Sequence, residues 1–481
     1  MDHVSRTTHD LVDGLEMRYD GFLALDSLDR SQLVQTCALS STWRRLWLTA
    51  PCLDIDAREW ASVAHRQDKV SFKPRFSEDD DEEEDKELDK FDDFVDSLLL
   101  RRGACASPLG TLRLSVPSSW PIWMRLLHDR SYCRSHTRWI RRGLRCSPAT
   151  LEVSGIKLPP LASGPGTHRL TKLRLHNVCL HKDFEKNLSS GLPILQDLEI
   201  RSTEMSKISR IASETLKNLI VDNSPTSNEG TRLGFLIDAP RLASLHLVVQ
   251  FRRLGVFSVT VCEAASPIQA SIHFLDRPKL QQVHGGCYYW QDDKDLLTAL
   301  CKLLRSLSNV TCLELSGFQD MAVAEQHIPN YPSPGTPIPA GFYQTTAPTI
   351  GDDLLPRPML QAILHEKQNK FPQLRNLKTL VLDKCEIGDN IQTLWSFLHN
   401  TPALEKLTLN NCGCQEFPYV AAASNIFEMG CTISNLKLVE IKYNPRDDHE
   451  GQDTAQMEKI VSMVQRGLPV SAKIHVTKVE N

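Results

Sequence analysis

Leu170-Thr171-Lys172-Leu173-Arg174-Leu175-His176-Asn177 places two leucines two residues apart behind a third leucine three residues upstream. In an extended chain, successive side chains point to opposite faces. Leu173 and Leu175 therefore share an inward face, and Lys172, Arg174 and His176 share the outward one. Leu170 closes the turn into the strand. With conservative changes the spacing recurs at Leu195/Leu198/Ile200, Leu216/Leu219/Val221, Leu242/Leu245/Leu247 and Val310/Leu313/Leu315. It returns at Leu377/Leu380/Leu382 with Cys385, Leu404/Leu407/Leu409 with Cys412, and Leu436/Val439/Ile441. Upstream, Leu109/Leu112/Leu114, Leu151/Val153 and Leu53/Ile55 read as the same strand.

Between the strands lie segments with helical spacing: Phe91, Phe94, Val95 and Leu98; Trp139, Ile140 and Leu144; Leu296, Leu297, Leu300, Leu303 and Leu304; Ile391, Leu394, Trp395 and Leu398. A strand and a helix per unit, each burying its apolar face only against its neighbours, is the pattern of a leucine-rich-repeat solenoid. The expected fold class is α/β, a curved parallel sheet with outer helices. Residues 106–435 are assigned to the repeats, and 50–105 to a first strand, an acidic insertion and a helix leading into them.

The spacing has two interruptions. Repeat starts at 170, 195, 216 and 242 lie 25, 21 and 26 residues apart, but 310 to 377 spans 67. Residues 329–358 hold eight prolines, Pro329, Pro332, Pro334, Pro337, Pro339, Pro348, Pro356 and Pro358, and read as a long loop without paired strand. Glu78 to Asp89 has ten carboxylates in twelve residues, a self-repelling run expected to be an exposed loop.

The 481 residues carry 55 basic and 59 acidic side chains, a net charge of −4 that excludes the broad basic excess of a dedicated nucleic-acid binder. No apolar run follows the N-terminus, and no stretch approaches the length of a membrane helix, so the nucleus or cytoplasm is the expected location. The fourteen cysteines are scattered. Cys179, Cys312, Cys385 and Cys412 sit in or beside strand-like runs, as small reduced hydrophobes. Cys412-Gly413-Cys414 has no second pair to complete a zinc site.

Before the first strand, Phe22, Leu25 and Leu28 suggest one short helix. Leu33, Val34, Cys37 and Leu39, then Trp43, Leu46 and Trp47, suggest two more. Ser27-Leu28-Asp29, Leu33-Val34-Gln35-Thr36-Cys37-Ala38-Leu39-Ser40, Trp43-Arg44-Arg45-Leu46-Trp47 and Ala50-Pro51-Cys52-Leu53-Asp54-Ile55-Asp56 resemble the F-box of plant F-box/LRR proteins. Trp139 to Cys146, followed by Ala149 to Val153, is similar to that family's unit of helix and strand. Asn435 to Tyr443, a helix around Met457 to Val464, and Ala472 to Val476 resemble its C-terminal FBD region, here 436–481.

The resemblance implies that residues 10–49, the F-box, bind a Skp adaptor and through it cullin and RING subunits. The repeats would hold a protein substrate for ubiquitin transfer. Implied adaptor contacts are Met17, Phe22, Leu25, Leu28, Leu33, Val34, Leu39 and Trp43. Outward polar strand positions, Lys172, Arg174, His176, Thr379, Lys406 and Thr408, are the candidate substrate contacts. The family opens its F-box with Leu-Pro-Asp, where this chain has Met17-Arg18-Tyr19, or Glu16-Met17-Arg18 in the neighbouring register. Proline presets the first helical φ, and Gly21 lowers helix propensity further. Two readings follow: a substrate receptor of an SCF-type ligase, or a protein-interaction scaffold whose F-box serves only folding.

Phosphate-loop, nucleophile-elbow and zincin patterns are missing, and the sixteen histidines lack metal-ligand spacing. No cofactor, metal or catalytic residue is expected. His273 and His475 fall in strand-like runs and read as structural. Gly285-Gly286 before Cys287-Tyr288-Tyr289-Trp290 reads as a turn into an aromatic cluster, in the core or exposed as a binding patch. Arg125, Arg130, Arg134, Arg138, Arg141, Arg142 and Arg145 form the basic cluster. It is either a solvated outer helix face or a site for a polyanion or acidic partner, since arginine forks suit phosphate and carboxylate.

Overall fold

The computed structural model describes residues 47–57, 78–104, 108–116, 130–161, 163–203, 205, 208–223, 233–250, 257–262, 267–275, 301–317, 322–324, 356–358, 372–385, 398, 400–412, 435–444, 457–458, 460–462, 464–465 and 472–478. These fall into two compact units, one within Met1–Pro159 and Ser163–Lys172, the other within Pro160–Ala162 and Leu173–Asn481. The adaptor contacts Met17 to Trp43 and the Gly285 to Trp290 cluster lie outside the described residues.

In the first unit a 3-10 turn, Trp47–Thr49, leads into β1 (Cys52–Asp56). Helix α1 (Glu78–Gly103), β2 (Thr111–Ser115), helix α2 (Arg130–Arg145) and β3 (Thr150–Ser154) follow. The three strands pair in parallel, with Leu53 opposite Leu112 and Leu112 opposite Leu151. Leu112, Leu114, Leu151 and Val153 are buried, as are Phe91, Val95 and Leu99 of α1 and Trp139 and Ile140 of α2. Burying each such side chain contributes about 1.5–3 kcal/mol. The ring edge of Phe91 meets Trp139, with centroids 5.6 Å apart and planes at 86°.

The acidic run is not a loop: its backbone opens α1. At the other end Arg102, 1% exposed, donates from Nη2 to the carbonyl of Ala50 at 3.3 Å. The helix C-terminus is thereby tied to the segment before β1.

The second unit carries β4 (Lys172–His176, from Leu173), helix α3 (Phe184–Gly191), β5 (Asp197–Arg201), β6 (Arg210–Ala212), β7 (Asn218–Asn223), β8 (Leu233–Asp238), β9 (Ser244–Gln250), β10 (Phe257–Val261) and β11 (Gln269–Leu275). Beyond these come β12 (Cys312–Ser316), β13 (Ala322–Ala324), β14 (Pro356–Pro358), β15 (Thr379–Asp383), β16 (Lys406–Asn410), β17 (Leu438–Tyr443) and β18 (Lys473–Lys478). The main sheet runs β4-β5-β7-β9-β11-β12-β15-β16-β17-β18. From β5 onward every pairing is parallel and in step, Leu198 opposite Leu219, Leu219 opposite Leu245, Leu313 opposite Leu380, and Leu407 opposite Val439. This is the architecture of leucine-rich repeats.

Two backbone devices repeat with the strands. Ahead of several strands a buried leucine or valine closes a turn with its N–H onto the carbonyl three residues back, as at Leu195, Leu242, Val310, Leu377 and Leu404. Just after the strand comes a left-handed residue: Gly155, Asn177, Ser202, Gly317, Lys384 or Asn411. Asn177, Ser202, Gly317, Lys384 and Asn411 each donate their N–H to the end of the next strand at 2.8 to 3.1 Å. An added Cβ at Gly155 would come 2.0 Å from the Val116 carbonyl oxygen, and at Gly317 1.8 Å from that of Phe274. Glycine is required at both positions.

Three features depart from the sequence expectation. Units between Asp197 and Leu275 carry β6, β8 and β10, a parallel three-stranded sheet, where an outer helix was expected. Phe257-Ser258-Val259-Thr260-Val261 alternates with β-branched residues, and Phe235, Ile237, Val259 and Val261 are buried, so these connections extend instead of coiling. Strand β11 buries Ala270, Ile272 and Phe274 where leucines mark the other strands. Finally, β14 pairs antiparallel with β13 despite its prolines. Pro356 and Pro358, two apart, lack donors on the same side of the strand, which leaves the Arg357 side for pairing.

Candidate target-facing surface

The inward leucines leave the alternate strand residues outward, and strict register lines those up in rows. In the first unit Asp54, Arg113 and Glu152 share a row. Arg113 donates from Nε to Glu152 at 2.6 Å, and its Nη1 lies 3.4 Å from Asp54. In the second unit a row runs through Glu199, Ile220, His246, Ser271, Glu314, Val381, Thr408, Glu440 and His475.

Charges along the second unit's rows are mostly paired across strands. Arg174 lies 3.2 Å from Glu199, which also pairs with Arg201, and Arg201 reaches Asp222 at 3.6 Å. Glu440 holds Lys406 at 2.9 Å and Lys442 at 3.6 Å. Lysine hydrogen bonding is the main reason the Glu440 carboxyl sits below the usual range. Asp383 accepts from Ser316 Oγ at 2.8 Å and Asn410 Nδ2 at 2.6 Å.

Midway along the sheet is a centre of a different kind. Ser271 donates from Oγ to Glu314 Oε2 at 2.9 Å and lies 2.6 Å from His273 Nε2. The rings of His273 and His246 are 4.9 Å apart at 48°. Burial, then the neighbouring His273, lowers the pKa of His246 below the ordinary imidazole value. The arrangement is not a catalytic triad, because the carboxylate engages the hydroxyl and not the far imidazole nitrogen.

Of the six strand residues singled out from sequence, Lys172, Arg174 and His176 are exposed on β4. Thr379 and Lys406 are half-buried, and Thr408 is only 5% exposed, its hydroxyl 3.5 Å from Glu440 Oε2. The structure puts Thr408, His246, Ser271 and Glu314 in one row, with Arg174 beside its Glu199, and Thr379 and Lys406 in the row before it. Ser271 was not anticipated, because β11 lacks the leucine pair that advertises a strand; His246 and Glu314 lie on strands read from Leu245/Leu247 and Leu313/Leu315, but the leucine spacing does not show that β11 brings them to one centre. His273 has the hydrogen bond expected of a structural histidine, whereas His475 is exposed on β18.

The arginine cluster divides. Arg138 pairs with Asp92 and, at 2.6 Å, with Asp96, while Arg142 reaches Asp96 at 2.6 Å. Arg134, Arg141 and Arg145 are exposed. Burial raises the Asp96 pKa against the pull of both arginines. Among the described residues no group of three or more His, Cys, Asp or Glu is placed to hold a metal, and no helix is long and apolar enough to cross a membrane.

No family model matches the chain. Individual proteins do. The meiotic F-box protein MOF of Oryza sativa is 29% identical over 450 residues, covering 88% of this chain and 78% of that protein. A putative F-box/FBD/LRR-repeat protein of Arabidopsis thaliana is 23% identical over 414 residues, 81% of this chain and 84% of its own length. A further Arabidopsis F-box/FBD/LRR-repeat protein is 27% identical over 250 residues, 48% of this chain and 54% of its own. These similarities join the F-box, repeat and FBD resemblances read from the residues, and the chain is a relative of the plant F-box/FBD/LRR-repeat proteins.

Proposed function

We propose that the chain is the substrate-recruiting, non-catalytic subunit of an SCF-type ubiquitin ligase. Residues 10–49 bind a Skp adaptor, and the outward strand rows bind a protein target. Similarity to an F-box protein across 88% of the chain carries this reading. The physics supports it as well: a receptor needs two binding surfaces at a fixed separation and acts by raising the effective concentration of its target near the ubiquitin-carrying subunit. Paired charges displayed on a rigid parallel sheet suit recognition of one protein surface.

The test is a pulldown of the full-length chain with purified Skp adaptor, alongside Arg18→Pro and a deletion of residues 1–48. Binding by wild type and its loss in the deletion are the expected results. No binding by wild type with recovery in Arg18→Pro contradicts the ligase reading and favours the scaffold. Failure of both excludes adaptor recruitment.

A further inference from the structure

The His246, Ser271, His273 and Glu314 centre is held in one hydrogen-bonding state by its own stoichiometry of protons. A serine hydroxyl has one proton, and here it goes to Glu314 Oε2 at 2.9 Å. At the 2.6 Å contact with His273 the serine oxygen must therefore accept, so Nε2 carries the ring proton. Glu314 Oε1 lies 3.8 Å from that nitrogen, beyond hydrogen-bond reach, and the carboxylate is 38% exposed. Its second oxygen is an acceptor left open to a partner.

The surroundings set the charge of that partner. Facing His246 are Arg201 and Asp222 from β5 and β7, His273 from β11 and Glu314 from β12. Arg201 is already held by Glu199 and Asp222. On the far side Asp383 is held by two neutral donors, Ser316 and Asn410. Among the described residues no lysine or arginine lies within ion-pair distance of Glu314 or Asp383. The two imidazoles, tilted 48° to each other, each offer a ring face beside the Glu314 carboxylate, which no described lysine or arginine pairs. A planar cation fits one such ring face by stacking, and its N–H fork fits the open carboxylate oxygen.

We propose that the His246–His273–Glu314 centre receives an arginine side chain of the target protein, its guanidinium stacked on one imidazole of the pair and donating to Glu314 Oε1. The proposal rests on the reading of this face as the target-docking surface, and it names the chemistry the target must present there.

The test uses the full-length chain with ¹³Cε1-labelled histidines, titrated with acetyl-Gly-Arg-Gly-amide and its citrulline and glutamate counterparts. His246→Gln and His273→Gln assign the two signals. The arginine probe is expected to shift both saturably. The citrulline probe should bind about tenfold more weakly, as should the arginine probe with Glu314→Gln, which keeps the acceptor for Ser271. Equal response to citrulline or glutamate, or no response to arginine, overturns the proposal. Skp binding by the same preparation is read separately, so loss of the arginine site and loss of the ligase reading are distinguishable.

Discussion

His136 sits on α2 among Trp139 and the β-strand core, 5% exposed, its ring 5.2 Å from that of Trp139. Its Nδ1 accepts the Lys157 N–H at 3.5 Å, which suits a neutral ring protonated on Nε2. Burial lowers its pKa from 6.5 to about 4, against a weaker pull from Asp92. The unfolded chain binds a proton at His136 through this window and the folded one does not, so stability falls as pH drops from 6.5 towards 4. At about 1.4 kcal/mol per pH unit this one residue accounts for a few kcal/mol. Urea unfolding followed across that range should show a flatter pH dependence in His136→Gln than in wild type. An unchanged slope would remove His136 as the cause.

The left-handed turn residues give a second test at this scale. Gly317→Ala forces a Cβ against the Phe274 carbonyl and should cost at least about 2 kcal/mol. Lys384→Gly, at φ 49° in the equivalent turn, should be neutral or stabilising by up to about 1 kcal/mol. Thermal unfolding that moves both in the same direction would contradict the shared turn.

At the scale of elements, α1 and α2 are joined by a polar seam as well as by their apolar faces. Asp92 accepts from Ser135 Oγ at 2.8 Å, from Trp139 Nε1 at 2.6 Å and from Arg138. Replacing it with alanine leaves the indole N–H and the hydroxyl without their acceptor, and should lower stability by about 2 kcal/mol. Asp92→Asn, which can still accept from Trp139, should lose about half as much. Equal losses measured by urea unfolding would show that charge, not hydrogen bonding, dominates the seam. The helices were legible because Phe91, Val95, Trp139 and Ile140 repeat at helical spacing. Their seam was not, because Arg138 and Arg142 look like their exposed neighbours until Asp92 and Asp96 are brought alongside. The acidic start of α1 misled for a related reason: charge density argues against a packed core, which does not decide between loop and helical backbone.

For the whole molecule, the parallel sheet could be read because inward leucine pairs keep their spacing from Leu112 to Ile441. Where the pair is replaced, as by Ala270 and Ile272 in β11, the leucine spacing passes over the strand, and around β6, β8 and β10 the expectation of one helix per unit misses that alternating buried residues such as Phe235 and Ile237 form strands. The outward rows were legible as polar positions, but their partners were not, since register between distant strands decides that Ser271 meets Glu314 and Lys406 meets Glu440. The FBD-like end follows the same logic, with β18 pairing in step with β17.

The central claim is that this chain brings a target to a ubiquitin ligase. The most direct measurement is affinity purification of the tagged full-length chain from plant cells, with quantification of co-purified subunits by mass spectrometry. Skp adaptor, cullin and RING protein recovered together with the chain, and lost on deletion of residues 1–48, are the predicted result. Purification of the intact chain with other partners but without adaptor and cullin would contradict it.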